Sequence, residues 1–493
     1  MPARPIRVKV ENEVGNWVSL PDGPQTLALF GHGDDLLILC PGPDISLCIH
    51  ALPRARRVFL LQSPEFADQM SAQWARSIPQ NWNMVSLDQA QAMLGTVRVL
   101  HYLPATRLFP RIYAPLLARL HVPASGLPRS QTVLVPSIEQ GLISTELCTA
   151  LKNLGYVPQP VSAHLSSSVL RQHLEKEQPV LFLSINFHGL DSFGENQALL
   201  QAADVPVVVW CVDNPFHLLT SQKNQLWKDL LLFVTDDWFV QPLRALGAQA
   251  VHLPLGTDLT IFSRSPATAH TPVSFVGRSQ FPDRDRFFAA CTVPETLMQQ
   301  ATALPGRQAH FGWWHEKHGH PALWPGQAVR TVGFGAEQTS ALWRIRCLHT
   351  LAQAGHLDII GDAHWKSLIP AAHVRTPVDY YHGLAALYAQ SAFSLNLTSL
   401  LLPHGLTQRH FDAWAAGGFV LTDNTPGLHI FPQELTAPIT FGTPQEAVQR
   451  MHVLQADPRY KEELRQAWYS EITTRHTYTQ RLQIIVDHCA GTT

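Results

Sequence analysis

Short apolar runs, separated by spacers long enough for a helix, recur along most of this chain. Strands that are apolar along their whole length belong to parallel sheets, because crossover helices cover both faces. The pattern therefore predicts an α/β protein of doubly wound parallel sheets. With 493 residues the chain is too long for one core, and the runs fall into three blocks.

The first block carries Thr26–Phe30, Arg57–Leu61 and Val97–Tyr102 as expected strands. The second carries Thr132–Pro136, Val180–Ile185, Val207–Trp210, Leu231–Val234 and Val251–Pro254. Between its first two strands, Leu147, Leu151 and Leu154 line one face of a helix that Gly155 stops. The third carries Val273–Gly277, Leu357–Gly361, Phe393–Leu397 and Phe419–Asp423. The expected domains are an N-terminal α/β accessory domain over 1–128 and Rossmann-like domains over 129–262 and 270–493. The last helix is expected to pack back on the preceding domain. The Ser, Thr, Ala and Pro-rich stretch 259–272 reads as the linker.

In open parallel sheets a ligand binds beyond the carboxyl ends of the strands, and two such sheets facing a cleft suit a reaction between two polar molecules. Polar residues straight after strands are therefore the site candidates. Asn186–Asp191 and Cys211–Pro215 hold His188 and Asp213, which stand as candidate catalytic bases beside the plainer reading of caps or backbone partners. Gly277 and Arg278 follow the first strand of block three.

The densest signal runs from Leu397 to Leu428. A strand that carries Asn396 and ends near Leu397 passes into the loop Pro403–Thr407, which holds His404, Gly405, Leu406 and Thr407, then into a helix over Gln408–Ala416. Gly417 and Gly418 stop the helix. A loop entering a helix presents free backbone N–H groups and the positive end of the helix dipole, which suits a diphosphate. Arg409 in the first turn is expected to add a cation, and Asp412 to reach outward to sugar or ribose hydroxyls.

Leu406–Asp412 with Ala415–Asp423, Ser184–Asp191 with Val209–Pro215, and His476–Tyr478 with Arg481 together resemble the CgeB-type (spore maturation protein) glycosyltransferases, in order over roughly residues 130–490. The resemblance implies the GT-B fold and sugar transfer from a nucleotide-sugar donor. Wider retaining relatives carry a Glu, seven residues and a second Glu; here His404 falls on the first position and Asp412 on the second.

The expected function is transfer of a sugar from a nucleotide-sugar donor to a hydroxyl acceptor, whether glycan, protein or small molecule, without a metal or other cofactor. A nucleotide-sugar epimerase and a non-catalytic glycan-binding scaffold are the alternatives that share the fold. A formal net charge of -2 argues against nucleic-acid binding. No apolar run is long enough to span a membrane. Seven cysteines without a C-x-x-C pair, and an N-terminus without an apolar signal core, lead to the expectation of a cytoplasmic protein with free buried thiols.

Two weaker signals remain. Gly31-His32-Gly33 lacks the third glycine of a nucleotide fingerprint, and Gln62 and Ser63 stand where its acidic residue belongs. A supporting or acceptor-recognising domain is the better reading. His315, His318 and His320, with Trp313, Trp314 and Trp324, offer a metal site or a sugar platform, but packing of a long insertion outranks both.

Overall fold

The computed structural model describes residues 8–61, 63–122, 128–138, 141–264, 271–320, 324 and 326–491. Gln62 and the middle of the expected linker, 265–270, lie outside the described residues.

A hairpin of β1 (Lys9–Glu11) and β2 (Trp17–Ser19) opens the chain. A sheet then forms from β3 (Leu27–Phe30), β4 (Leu36–Cys40), β5 (Val58–Leu61), β6 (Asn83–Val85) and β7 (Arg98–Tyr102), in the order β3-β7-β4-β5-β6. The three expected strands are present, but its centre is β4, whose five side chains are all buried and which the sequence reading passed over. The edge strand β3 runs antiparallel to β7, while β4 runs parallel to it. Gly31–Gly33 therefore reverses the chain between two strands and does not lead a strand into a helix. Gly33 sits at φ +126°, and a Cβ there would lie 2.5 Å from the Thr96 carbonyl oxygen. Backbone fills the space a phosphate would need.

The second sheet comprises β8 (Thr132–Ser137), β9 (Val157–Ser162), β10 (Leu181–Ile185), β11 (Val207–Cys211), β12 (Leu231–Val234) and β13 (Gln249–His252), in the order β13-β12-β11-β10-β8-β9. β8 pairs in parallel with both β9 and β10. β9 escaped the sequence reading because it carries Pro158 and Pro160, which are tolerated on an edge strand.

The third sheet comprises β14 (Thr271–Val276), β15 (Leu357–Ile360), β16 (His373–Arg375), β17 (Ser391–Asn396), β18 (Val420–Asp423) and β19 (Thr440–Phe441), in the order β16-β15-β14-β17-β18-β19. Every pairing in it is parallel. This is the doubly wound order of dinucleotide-binding domains, with its switch point between β14 and β17.

The chain gathers into two compact units. One holds Met1–Gly141, Val157–Val209 and Ser221–Leu231; the other holds Leu142–Tyr156, Trp210–Thr220 and Leu232–Thr493. Within the second unit the helix Tyr478–Gly491 lies along the helix Ser144–Asn153. Arg481 Nε donates to the carbonyls of Pro254 and Leu255, and Tyr478 packs edge-on against Trp210. All seven cysteines are free thiols. Among the described residues no helix is long and apolar enough to cross a membrane.

Candidate functional site

The loop after β14 is built to be rigid. Gly277 is pressed against Gly361 at the end of β15, where a Cβ would lie 2.3 Å from the Gly277 carbonyl oxygen. Asp362, next along, accepts from the Ser279 amide at 2.7 Å and the Ser279 hydroxyl at 2.8 Å. Burial opposes ionisation of Asp362, but these bonds outweigh it and hold its carboxyl below the usual range.

A third support comes from the helix Gln327–Ala354, 28 residues long. Glu337, Ser340 and Arg344 stand three and four residues apart and so share one face of it. Arg344 donates to the Arg278 carbonyl at 3.1 Å and the Ser279 carbonyl at 3.2 Å, and pairs with Glu337 at 3.6 Å. Burial pushes the Glu337 carboxyl up and the Arg344 guanidinium down, each opposed by the other's charge. Ser340 Oγ accepts from the Leu400 amide at 3.2 Å, and Trp343 Nε1 donates to Asp423 at 3.0 Å. One helix thus fixes the loops after β14 and β17 and the end of β18.

The loop after β17 has its own clamp. Arg307 and Asp423 form a buried ion pair at 2.9 Å. Arg307 also donates to the carbonyls of Thr398, Ser399 and Leu402. The Asn214 amide, from the loop after β11, donates to the Leu401 carbonyl at 2.9 Å.

Between these loops lies a cavity of about 540 Å³. Asp213, Asn214 and His217 line it from the segment after β11, Arg278, Gln280 and Phe281 from that after β14, and Ser399, Leu401 and Leu402 from that after β17. Arg278 and Asp213 are both exposed. His217 packs against Gly333 and the ring of Phe287, and burial pushes its pKa down to about 3, so it stays neutral. A second cavity of about 610 Å³ adjoins along Arg278–Pro282 and reaches Asp362, His364 and Pro377. Both lie at the carboxyl ends of parallel strands, where this class of sheet binds ligands.

The other sequence-predicted residues are placed differently. Arg409 is half-buried. It donates to the Asn396 side chain at 2.8 Å and to the Leu395 and Val276 carbonyls, and lies over the Phe275 ring. It ties the ends of β14 and β17 together. Asn396 is fully buried among Thr398, Thr422 and His410. Asp412, expected to reach outward, is 1% exposed and accepts from Thr257 Oγ1 at 2.7 Å and Tyr380 OH at 2.9 Å. Burial pushes its carboxyl well above the usual range. Thr407 donates to Asn396, and Leu406 is buried. Gly405 donates its amide to the Leu402 carbonyl, closing the turn. Gly417, at φ +83°, and Gly418 end the helix Arg409–Ala415 at its carboxyl terminus, away from the loop that enters it.

His404 pairs with residues the sequence reading missed. Its Nδ1 donates to Asp237 at 2.7 Å, and its amide donates to Asp236 at 3.0 Å. The bond from Asp237 raises the His404 pKa, and the same bond lowers that of Asp237. Burial raises Asp236 to about 6. Thr235–Asp237 directly follows β12, the position that singled out Asp213, so the signal was available. His188 belongs to the first unit, after β10. Burial lowers its pKa. Asn186 and Phe187 before it both adopt positive φ, a strained turn for side-chain-bearing residues.

Trp314 and Trp324 are buried and donate to Thr339 and the Leu219 carbonyl, so both pack the interior.

Parallel sheets, with cavities at the carboxyl ends of the third, define an α/β protein with two Rossmann-like sheets and an added N-terminal sheet. Residues 344–487 match a family model described as glycosyl transferase-like. No curated protein matches the chain. Among solved structures it is similar to a sucrose-phosphate synthase of Thermosynechococcus elongatus, with 12% identity and a TM-score of 0.45 over 74% of this chain and 100% of that one. It is similar to Anabaena HepE in complex with UDP, with 11% identity and a TM-score of 0.42 over 74% of this chain and 100% of that one. A Rickettsia africae glycosyltransferase shows 10% identity and a TM-score of 0.45 over 74% of this chain and 98% of that one.

Proposed function

We propose that the chain is a glycosyltransferase that seats a nucleotide-sugar donor in the 540 Å³ cavity and passes the sugar to a hydroxyl acceptor. One observation carries the reading. The glycosyl transferase-like match over 344–487 begins at Arg344, which braces the loop after β14, and takes in the segments after β15, β16, β17, β18 and β19.

The donor diphosphate lies against Arg278 and the amides of its loop, and not against Arg409, whose guanidinium is already engaged. Arg matches phosphate oxygens through its forked donors, so two exposed N–H edges take the place of a metal ion. The nucleoside extends into the adjoining cavity past Asp362 and His364. Transfer is metal-independent on this reading. Asp213 lines the donor cavity and takes the acceptor proton as the hydroxyl attacks the anomeric carbon, while the nucleotide diphosphate leaves. The resemblance to the CgeB-type family supports the same reaction.

The test is incubation of the protein with UDP-, GDP- and dTDP-sugars, with and without a chelator, and measurement of free nucleoside diphosphate. Release that survives the chelator is expected. Sugar interconversion without release would make the protein an epimerase, and binding with neither would make it a scaffold. Arg278→Ala is expected to weaken the donor by roughly 10–100-fold, since a hydrogen bond to a charged group is worth about 1.5–3 kcal/mol. Asp213→Asn is expected to lower turnover by about 10²–10⁴ with donor affinity kept. Near-normal turnover in Asp213→Asn removes it from the role and leaves His188→Gln as the next variant to assay.

A further inference from the structure

Three side chains that play no part in the donor cavity converge at the amino ends of β15 and β16. Asp358 is the second residue of β15, and His356 stands two residues before it. Alternate residues of an extended chain share a face. His373 opens β16 and is the direct cross-strand partner of Asp358. His356 Nε2 lies 2.8 Å from Asp358 Oδ1, and His373 Nδ1 lies 3.0 Å from the same oxygen. All three ligand atoms fall within 4.8 Å of one another.

Ligands bound about 2.0–2.2 Å from one ion, at right-angled to tetrahedral spacing, lie roughly 2.8–3.6 Å apart. The two nitrogen–oxygen separations are of that size. Asp358 is 6% exposed, whereas the His356 and His373 side chains are 56% and 62% exposed. The carboxylate is therefore fixed, and the side facing water is open. Arg375 donates to Oδ2 at 3.2 Å and leaves Oδ1 to the two rings, the kind of outer partner that orients a ligating carboxylate.

We propose that His356, Asp358 and His373 form a surface site for a divalent transition-metal ion of the zinc class, completed by water. Two imidazoles and one carboxylate are the ligand set such ions favour over Mg²⁺ or Ca²⁺. On binding, each imidazole keeps its one proton on the ring nitrogen away from the ion. The site lies at the end of β15 opposite Gly361 and Asp362, so it bears on stability and not on transfer.

The test uses the full chain stripped with a chelator, titrated with Zn²⁺ by calorimetry and with Co²⁺ by visible absorption. Saturable uptake is expected in the parent, with one fewer ion per chain in His356→Ala and in His373→Ala, and unchanged far-ultraviolet dichroism. His404→Ala, which breaks up the separate Asp236–Asp237–His404 cluster, keeps the site. No saturable uptake by the parent, undiminished uptake in either of the first two variants, or loss in His404→Ala alone would overturn the proposal.

Discussion

Asp412 and Arg409 sit on one short helix, and both turn their charges inward. At a single residue, what decides function is whether the polar group already has a protein partner. The two hydroxyls on Asp412 make it a structural acceptor, so its removal costs stability first. Asp412→Ala removes the acceptor of the buried Thr257 hydroxyl and of the Tyr380 hydroxyl and should lower stability by about 1–3 kcal/mol. Asp412→Asn should cost less, because an amide can both accept from Thr257 and donate to the Tyr380 oxygen. The two also differ with pH. The folded pKa of Asp412 lies above its unfolded value of about 3.9, so the folded parent holds a proton the unfolded chain has lost. Parent stability from this group is therefore greatest below pH ~4 and falls as pH rises toward the folded pKa. Asn does not titrate, so Asp412→Asn should gain on the parent as pH rises above ~4 in urea titrations. A pH-independent difference would show that the carboxyl is ionised in the folded state.

Among the elements, the helix Gln327–Ala354 matters most for the site. No helical pattern marks it in the sequence. Its signals were Gly326 before it and Gly355 after it, but it buries residues on several faces and carries Gly333 and Gly335, which weaken any helical pattern. Its role follows from Arg344, which grips two successive carbonyls of the Arg278–Ser279 turn. Arg344→Met keeps the bulk and removes both bonds, and should weaken nucleotide binding about tenfold, or 1.4 kcal/mol, by freeing that turn. Arg344→Lys should rescue little, since one ammonium on a flexible stem does not hold two carbonyls as a planar fork does. Equal donor affinity in Arg344→Met and parent, by calorimetry, would refute this. The segment after β12 is tied to the loop before Arg409 by Asp237 and His404. A His whose folded pKa is raised stabilises below its unfolded pKa of about 6.5 and loses that contribution as pH rises through the folded value. The lowered Asp237 stabilises above about 3.9 and loses its contribution as pH falls through its folded value. The parent's advantage over His404→Gln should thus be largest between pH ~4 and ~6.5 and shrink above it in thermal melts.

At the scale of the whole molecule, the unit that holds the 540 Å³ cavity is not one stretch of chain. It draws in Leu142–Tyr156 and Trp210–Thr220 beside Leu232–Thr493. A fragment limited to 270–493 lacks Asp213, the Asn214 bond to Leu401, the Asp236 and Asp237 bonds to His404, the Thr257 bond to Asp412, and the carbonyls that hold Arg481. Such a fragment should melt well below the full chain and show no nucleotide binding. A fragment that folds cooperatively and is stabilised by a nucleoside diphosphate would show that these bonds are dispensable.

The parallel sheets were legible in the sequence because long apolar strands have no other stable home. β10, β11, β12, β14, β15, β17 and β18 were found within a few residues of their ends. β9, β16 and β19 were not, because edge strands are short or proline-bearing and need no apolar run. The position of the cavity at strand ends was legible for the same reason, and Arg278 and Asp213 line it. Only tertiary structure decided which polar residues are open to a ligand. Arg409, Asn396 and Asp412 carry the right chemistry, yet each is already bonded to backbone or side chains from β14, β18 or the segment after β13. Sequence fixes where a polar group sits along its own element. Whether that group is spare depends on which distant carbonyls, hydroxyls and carboxylates the fold brings within three ångströms of it.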